Sequence, residues 1–182
     1  MNEPHDLTPE TSWFDMAQAS INAIREVDTN TLIMVGGNDW SSAERWIEQS
    51  DTLKYLKDPA NNLAFEAHVY FDKDASGTYK YSYEEEECYP EKGIDRVKPF
   101  VEWIKQNKFH GFIGEYGIPD NDPRWNETLD LFLGYLQENG INGTYWAAGP
   151  WWDSYFMAIT PKDGKDRPQM PIIEKYTSTL KK

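Results

Sequence analysis

His110-Gly-Phe-Ile-Gly-Glu115, continued by Tyr116-Gly117, is a short apolar run that ends on a carboxylate. It reads as a strand, and Gly114 and Gly117 allow chain or ligand to approach closely. The same kind of run recurs along the chain. Thr31-Leu-Ile-Met-Val-Gly36 is continuously apolar and reads as a buried parallel strand. Leu63-Ala-Phe-Glu-Ala-His-Val-Tyr70 is the next strand, and Asn142-Gly-Thr-Tyr-Trp-Ala147 the last. Amphipathic helices alternate with them. Phe14, Ala17, Ile21 and Ile24 fall near one face of a helix from about Ser12 to Val27. A short helix is expected from Ser42, which would cap it. Ile94, Val97, Val101 and Ile104 space a helix to about Asn107, and Pro123 opens one whose Leu129, Phe132, Leu133 and Leu136 share a face. A final helix after Arg167-Pro168 carries Ile172, Ile173 and Tyr176, and a polar loop spans Asp72 to about Glu91.

Repeated strand–helix units with apolar strands imply an α/β protein with a parallel sheet. Residues able to do chemistry fall at the C-terminal ends of the strands, where a (β/α)8 TIM barrel places its active site. Such a barrel has eight strands and about 250 residues. The four strands here correspond to strands 5 to 8, which puts Asn2-Glu3 at the end of strand 4. The expectation is therefore the C-terminal half of a barrel, from the end of strand 4 through helix 8.

The charge balance is −13, from 18 basic and 31 acidic residues. Such a surface repels phosphate backbones and anionic membranes, so nucleic acid and membrane are not expected partners. A neutral ligand such as a sugar is compatible with it. Eight Trp and eleven Tyr include several in segments rich in Gly, Asp and Asn, where flat rings can stack on pyranose faces or pack with their polar tips satisfied. Cys88 is the only cysteine, so no intrachain disulfide forms. The chain carries no signal peptide and no apolar run of membrane-spanning length.

Two carboxylates stand out. Glu3, in Met1-Asn-Glu-Pro4, and Glu115 are far apart in sequence, and only the fold can unite them. Glycoside cleavage needs a proton donor for the leaving oxygen and a second carboxylate across the sugar. Asn2 can donate an amide hydrogen bond to a sugar hydroxyl beside the acid. His68 and Tyr70 lie two apart and share a strand face. Tyr70 can donate to the Glu115 carboxylate, and His68 can bond the acid or the sugar. Glu66, deeper on that face, reads as a structural partner. Trp146 ends the last strand and can floor a sugar subsite, with Trp40, Trp151 and Trp152 extending the platform. For Trp151-Trp152 a packed loop is an equal alternative. His5, His68 and His110 have no metal-ligand spacing, no Gly-rich phosphate loop is present, and nothing marks a nucleophilic serine, so no metal or cofactor is expected. The acidic run Glu84–Glu87 reads as a solvated face, with a weak Ca2+ contact as the alternative.

Taken in order, these segments resemble glycoside hydrolase family 5, the large retaining cellulase family, over essentially the whole chain. Asn2-Glu3-Pro4 is similar to its acid/base motif, Trp40-Ser41 with Trp46 to the segment after strand 5, and Phe65-Glu-Ala-His-Val-Tyr70 to its His-x-Tyr strand. Gly114-Glu-Tyr-Gly117 resembles the nucleophile motif and Tyr145-Trp-Ala147 the strand-8 tryptophan. The resemblance implies Glu3 as acid/base and Glu115 as nucleophile, with Asn2, His68, Tyr70 and Trp146 around the bound sugar. The wording around Asp72–Thr78 and Trp146–Trp152 is most similar to the endo-β-1,4-glucanase branch.

The expectation is thus that residues 1–182 are the C-terminal part of a single family 5 catalytic domain. Its partner would be a β-glucan oligo- or polysaccharide, cleaved at internal β-1,4 bonds by double displacement, in a secreted parent enzyme. The first half barrel, with its arginine and histidine near the active site, is not in the chain, so the 182 residues are not expected to act alone. Two alternatives stand beside this: the same mechanism on mannan or xylan, and a non-catalytic glucan-binding or inert half barrel that self-associates through its exposed sheet edges.

Overall fold

The computed structural model describes residues 1–8 and 10–177. Its elements run α1 (Trp13–Arg25), β1 (Ile33–Gly36), α2 (Asn38–Ser41), α3 (Trp46–Ser50), a 3-10 turn at Asp51–Tyr55, β2 (Leu63–Tyr70), α4 (Lys92–Asn107), β3 (His110–Gly117), α5 (Arg124–Glu138), β4 (Asn142–Tyr145), a 3-10 turn at Pro150–Trp152 and α6 (Met170–Thr177). The four strands form one parallel sheet in the order β1-β2-β3-β4. Parallel neighbours need a crossover, and a helix follows each strand to supply it. Ile33 aligns with Leu63 and Gly36 with Glu66 across β1 and β2.

Two compact units divide the chain: Met1–His68 with Val97–Ile113, and Val69–Arg96 with the chain from Gly114 onward. The first is built on aromatic packing. Phe65 of β2 lies 4.9 Å, centroid to centroid, from both Trp103 and Phe109, and Trp46 of α3 lies 4.6 Å from Phe100. The Trp103 indole N–H donates to Asp51 at 2.9 Å, which satisfies its one polar atom in the core. In the second unit Phe132 of α5 packs on Phe71 and Tyr116, while Trp125 meets Tyr79 and Tyr83 edge-on.

β2 spans the expected residues, and the other boundaries shift for physical reasons. α1 begins after Ser12, whose hydroxyl accepts from the Asp15 N–H. Its buried stripe is Ala17, Ile21 and Arg25, and Ile24 faces solvent. Arg25 takes the inward place because Asp58 meets its guanidinium with two bonds, at 2.7 and 2.9 Å, and both side chains are buried. That pair holds the Asp58 carboxyl well below the usual carboxylate range, its bond to Arg25 being the largest cause. The expected strand at 31–36 shortens to β1, with Leu32 and Met34 exposed instead of buried. β1 stands at the end of the strand order, with a strand partner on one side only among the described residues.

Ser42 does not cap a helix start. Its hydroxyl accepts from the Arg45 N–H, and α3 begins only at Trp46. α6 starts at Met170, not directly after Pro168. β4 stops at Tyr145, so Trp146 and Ala147 follow the strand and do not belong to it. Asn2 and Glu3 carry no strand pairing. The chain there is held by other bonds: the Asn2 carbonyl accepts from Ser41 Oγ at 3.1 Å and the Pro4 carbonyl from the Trp40 N–H at 3.1 Å.

Glu84, Glu85 and Glu87 are exposed as a solvated face would be, and Glu86 alone turns inward. Glu86 is buried and accepts from the backbone N–H groups of Lys73 and Tyr81, both at 2.8 Å. Glu84 pairs with Arg124, Glu85 with Ser82 and Glu87 with Lys73. These carboxylates are turned to donors within the protein, which leaves the calcium alternative without support. No helix among the described residues is long and apolar enough to cross a membrane.

Candidate active site

Two half-sites carry the residues singled out in the sequence, one in each compact unit. In the first, Glu3 Oε1 lies 2.7 Å from His68 Nδ1. The other ring nitrogen, Nε2, lies 2.6 Å from Glu66 Oε1. His68 is buried, Glu66 nearly so, and Glu3 is partly open to solvent. Strand alternation explains the grouping, because Glu66 and His68 are two apart on β2 and face the same way. Gly36 keeps the space open. A Cβ there would lie 2.8 Å from Ser41 Oγ and 3.3 Å from both the Asn2 carbonyl and Glu66 Oε2.

After β1 the chain makes an unusual turn. Asp39, Trp40 and Ser41 all take φ near +55° (54°, 54° and 56°), a left-handed conformation that non-glycine residues seldom adopt. Such a run costs of order 1–3 kcal/mol per residue and persists where surrounding contacts hold it. The contacts here are the Pro4 carbonyl on Trp40, the Asn2 carbonyl on Ser41, and an ion pair of Asp39 with Arg45 at 2.8 Å. The turn presents Trp40 with its ring half-exposed and stacked on His5, 4.3 Å apart and 10° from parallel. Trp46, likened to the same segment, is wholly buried in the core.

In the second unit the Tyr70 hydroxyl donates to Glu115 Oε2 at 2.7 Å. Burial, then the charge of Glu115 and the bond to it, push the Tyr70 hydroxyl far above its ordinary value, so it stays a donor. The loop after β2 sets this geometry. Asp72 is fully buried and accepts from Ser76 Oγ and from the backbone N–H groups of Gly77, Thr78 and Tyr79. The loop so closed returns Tyr79, whose hydroxyl donates to the Gly117 carbonyl at 2.6 Å and accepts from the Phe71 N–H at 2.9 Å. The end of β2 is thereby tied to the end of β3, with Tyr70 and Glu115 just before the two tied points. Gly77, at φ +71°, backs the Tyr70 ring, and a Cβ there would come within 2.9 Å of it.

Trp146 is anchored by its backbone N–H, which donates to the Tyr116 carbonyl at 2.8 Å. Gly117 permits that approach, since a Cβ there would sit 2.3 Å from the Trp146 carbonyl oxygen. The Trp146 ring packs edge-on to Trp152 at 5.0 Å, and Trp152 meets Tyr155 at 4.9 Å. Trp152 therefore takes the packed-loop role, whereas Trp151 points outward and is 89% exposed.

The sequence reading missed Tyr155. Tyr155 lies within electrostatic reach of Glu115: burial pushes its hydroxyl up, and the Glu115 and Asp72 charges add to this. Its only signal in the sequence was its place after the Trp151-Trp152 pair. Glu66 was read as structural, and its partner turns out to be the ring that faces Glu3.

The cellulase family model, glycosyl hydrolase family 5, matches residues 1–151. A probable endo-beta-1,4-glucanase B from Aspergillus kawachii is 37% identical over 181 residues, covering 96% of this chain and 52% of its own length. Among solved structures, the Pseudomonas stutzeri endoglucanase Cel5A in complex with cellobiose superposes with a TM-score of 0.89 at 45% identity, over 97% of this chain and 52% of that one. XacCel5A in complex with cellopentaose gives 0.86 at 39% identity, over 97% and 58%. The chain thus spans about half the length of the proteins it matches.

Proposed function

Because the chain belongs to glycosyl hydrolase family 5, the cellulase family, we propose that it carries both reacting carboxylates of a retaining endo-β-1,4-glucanase and is part of that enzyme's single catalytic domain. The observation that carries this reading is the pairing of each carboxylate with its own partner on β2: Glu3 with His68 and Glu115 with Tyr70.

In the first step Glu3 gives its proton to the glycosidic oxygen as the bond to the anomeric carbon breaks. Glu115 attacks that carbon from the opposite face and forms a glycosyl ester. Tyr70 holds one Glu115 oxygen, Oε2, and so orients the other for attack. In the second step Glu3 takes a proton from water, the water oxygen attacks the same carbon, and the ester bond to Glu115 breaks. Two inversions leave the configuration retained. No cofactor takes part in these steps.

Sugar binding falls to Trp146, to the exposed rings of Trp40 and Trp151, and to the Asn2 amide. Glucan is preferred over mannan or xylan because the relatives bear endo-β-1,4-glucanase names and the structural neighbours hold cellobiose and cellopentaose. A secreted enzyme fits a polymeric substrate that cannot enter a cell. Incubation of the full-length enzyme with carboxymethylcellulose tests the reading. That enzyme is expected to release new reducing ends with a rapid fall in viscosity. Cleavage of mannan or xylan instead, with carboxymethylcellulose untouched, would overturn the substrate assignment.

A further inference from the structure

The peptide group that follows Tyr70 lies just past the end of β2, and side chains hold both of its polar atoms. Arg96 of α4, itself buried, donates to the Tyr70 carbonyl and, through its other terminal nitrogen, to the Lys73 carbonyl at 3.1 Å. On the other side of the same peptide, the Phe71 N–H donates to the Tyr79 hydroxyl at 2.9 Å. That hydroxyl in turn donates to the Gly117 carbonyl at 2.6 Å. A single oxygen thus joins the end of β2 to the end of β3. A hydroxyl suits the place because it accepts and donates through one atom. Burial, then the charge of Asp72, push the Tyr79 hydroxyl well above its ordinary value, so it keeps its hydrogen.

Tyr79 reaches this place at a cost to its own backbone. Its φ is +44°, in the left-handed region, and Asp72 holds the turn by accepting from the N–H groups of Gly77, Thr78 and Tyr79. The ring packs edge-on against Trp125 at 5.0 Å, a contact a phenylalanine would make equally well. Only the hydroxyl serves the two strand ends. Tyr70 stands directly before the held peptide and Glu115 two residues before Gly117, and the Tyr70 hydroxyl meets Glu115 Oε2 at 2.7 Å. A small tilt of the peptide after Tyr70 is magnified at the far end of the Tyr70 ring, where that bond is made. We propose that Tyr79 is a positioning residue: its hydroxyl locks the ends of β2 and β3 so that Tyr70 meets Glu115 in the orientation needed for attack. The catalytic consequence rests on the assignment of Glu115 as nucleophile; the bridge between the strands does not.

The test is Tyr79→Phe in the full-length enzyme, which keeps the ring and removes the bridge. With a cello-oligosaccharide as substrate, kcat is expected to fall about 10- to 100-fold, the scale on which misplacing a reacting group acts, with KM little changed. In a Tyr70→Phe background the same substitution is expected to add little further loss, because the bond it sets is already gone. A tyrosine with a merely structural role would lower the urea midpoint and leave the kcat of the folded enzyme at the parent value. An unchanged kcat, or an equal factor lost in both backgrounds, would overturn the proposal. Should Tyr79→Phe fail to fold, Tyr79→4-aminophenylalanine, whose amine makes a weaker bridge, replaces it in both backgrounds and is read in the same way. A crystal structure of the variant separates the two claims. A Tyr70 hydroxyl drawn out of hydrogen-bonding distance of Glu115, in an enzyme whose parent cleaves no glucan, would keep the Tyr79 assignment and end the nucleophile assignment. A Tyr70–Glu115 bond left in place would end the Tyr79 assignment.

Discussion

In the full-length enzyme, Glu115→Gln is expected to lower hydrolysis of carboxymethylcellulose by about 10³-fold or more, the scale on which losing a covalent nucleophile acts. The substitution is nearly isosteric. The Gln carbonyl still accepts from Tyr70, so the bond that holds Glu115 at 2.7 Å in the native protein keeps a counterpart. What disappears is the anionic oxygen that forms the ester, because an amide does not attack the anomeric carbon. The loss should therefore fall on kcat, with affinity for a cello-oligosaccharide little changed. A variant as active as the parent would contradict the assignment of Glu115, and a loss confined to KM would place it in binding.

The second large effect is on stability. Phe65→Ala is expected to cost about 3–5 kcal/mol, the usual range for emptying a buried phenylalanine site. Phe65 is 1% exposed, and its ring meets those of Trp103 and Phe109 at 4.9 Å and Trp46 at 6.4 Å. Rigid indoles cannot collapse into the space, so a cavity persists and the cost stays at the high end. Phe65 also sits between Glu66 and the strand's apolar start, so its loss loosens the strand that holds His68. The shift in urea midpoint at constant slope measures the effect. A change under about 1 kcal/mol would show that this cluster does not hold the first unit together.

Much of the site was legible because its chemistry is written in short strands. β2 could be delimited from its apolar run, and its period of two placed Glu66 beside His68. The bond from Tyr70 to Glu115 followed from that alternation and the presence of a strand-end carboxylate. Other features depend on partners remote in sequence. Arg25 displaces Ile24 from the buried face of α1 only because Asp58 waits there. The left-handed turn that presents Trp40 has no local signature, since Asp39, Trp40 and Ser41 are ordinary residues held by the carbonyls of Asn2 and Pro4. Within the largely exposed run Glu84–Glu87, the burial of Glu86 was hidden because its donors, the Lys73 and Tyr81 backbones, lie elsewhere in the chain. Trp146 was assigned to a strand that stops one residue earlier, at the point where its backbone turns to meet Tyr116.

The central claim is that Glu115 becomes covalently bonded to sugar. It is tested most directly by incubating the full-length enzyme with a 2-deoxy-2-fluoro-β-cellobioside that bears a dinitrophenyl leaving group. The fluorine slows the second step more than the departure of a good leaving group, so the ester accumulates. The account predicts one added fluorocellobiosyl mass per chain, located by peptide mass spectrometry on Glu115 and absent from Glu115→Gln. No adduct in a protein that releases dinitrophenol, or an adduct on another residue, would contradict it.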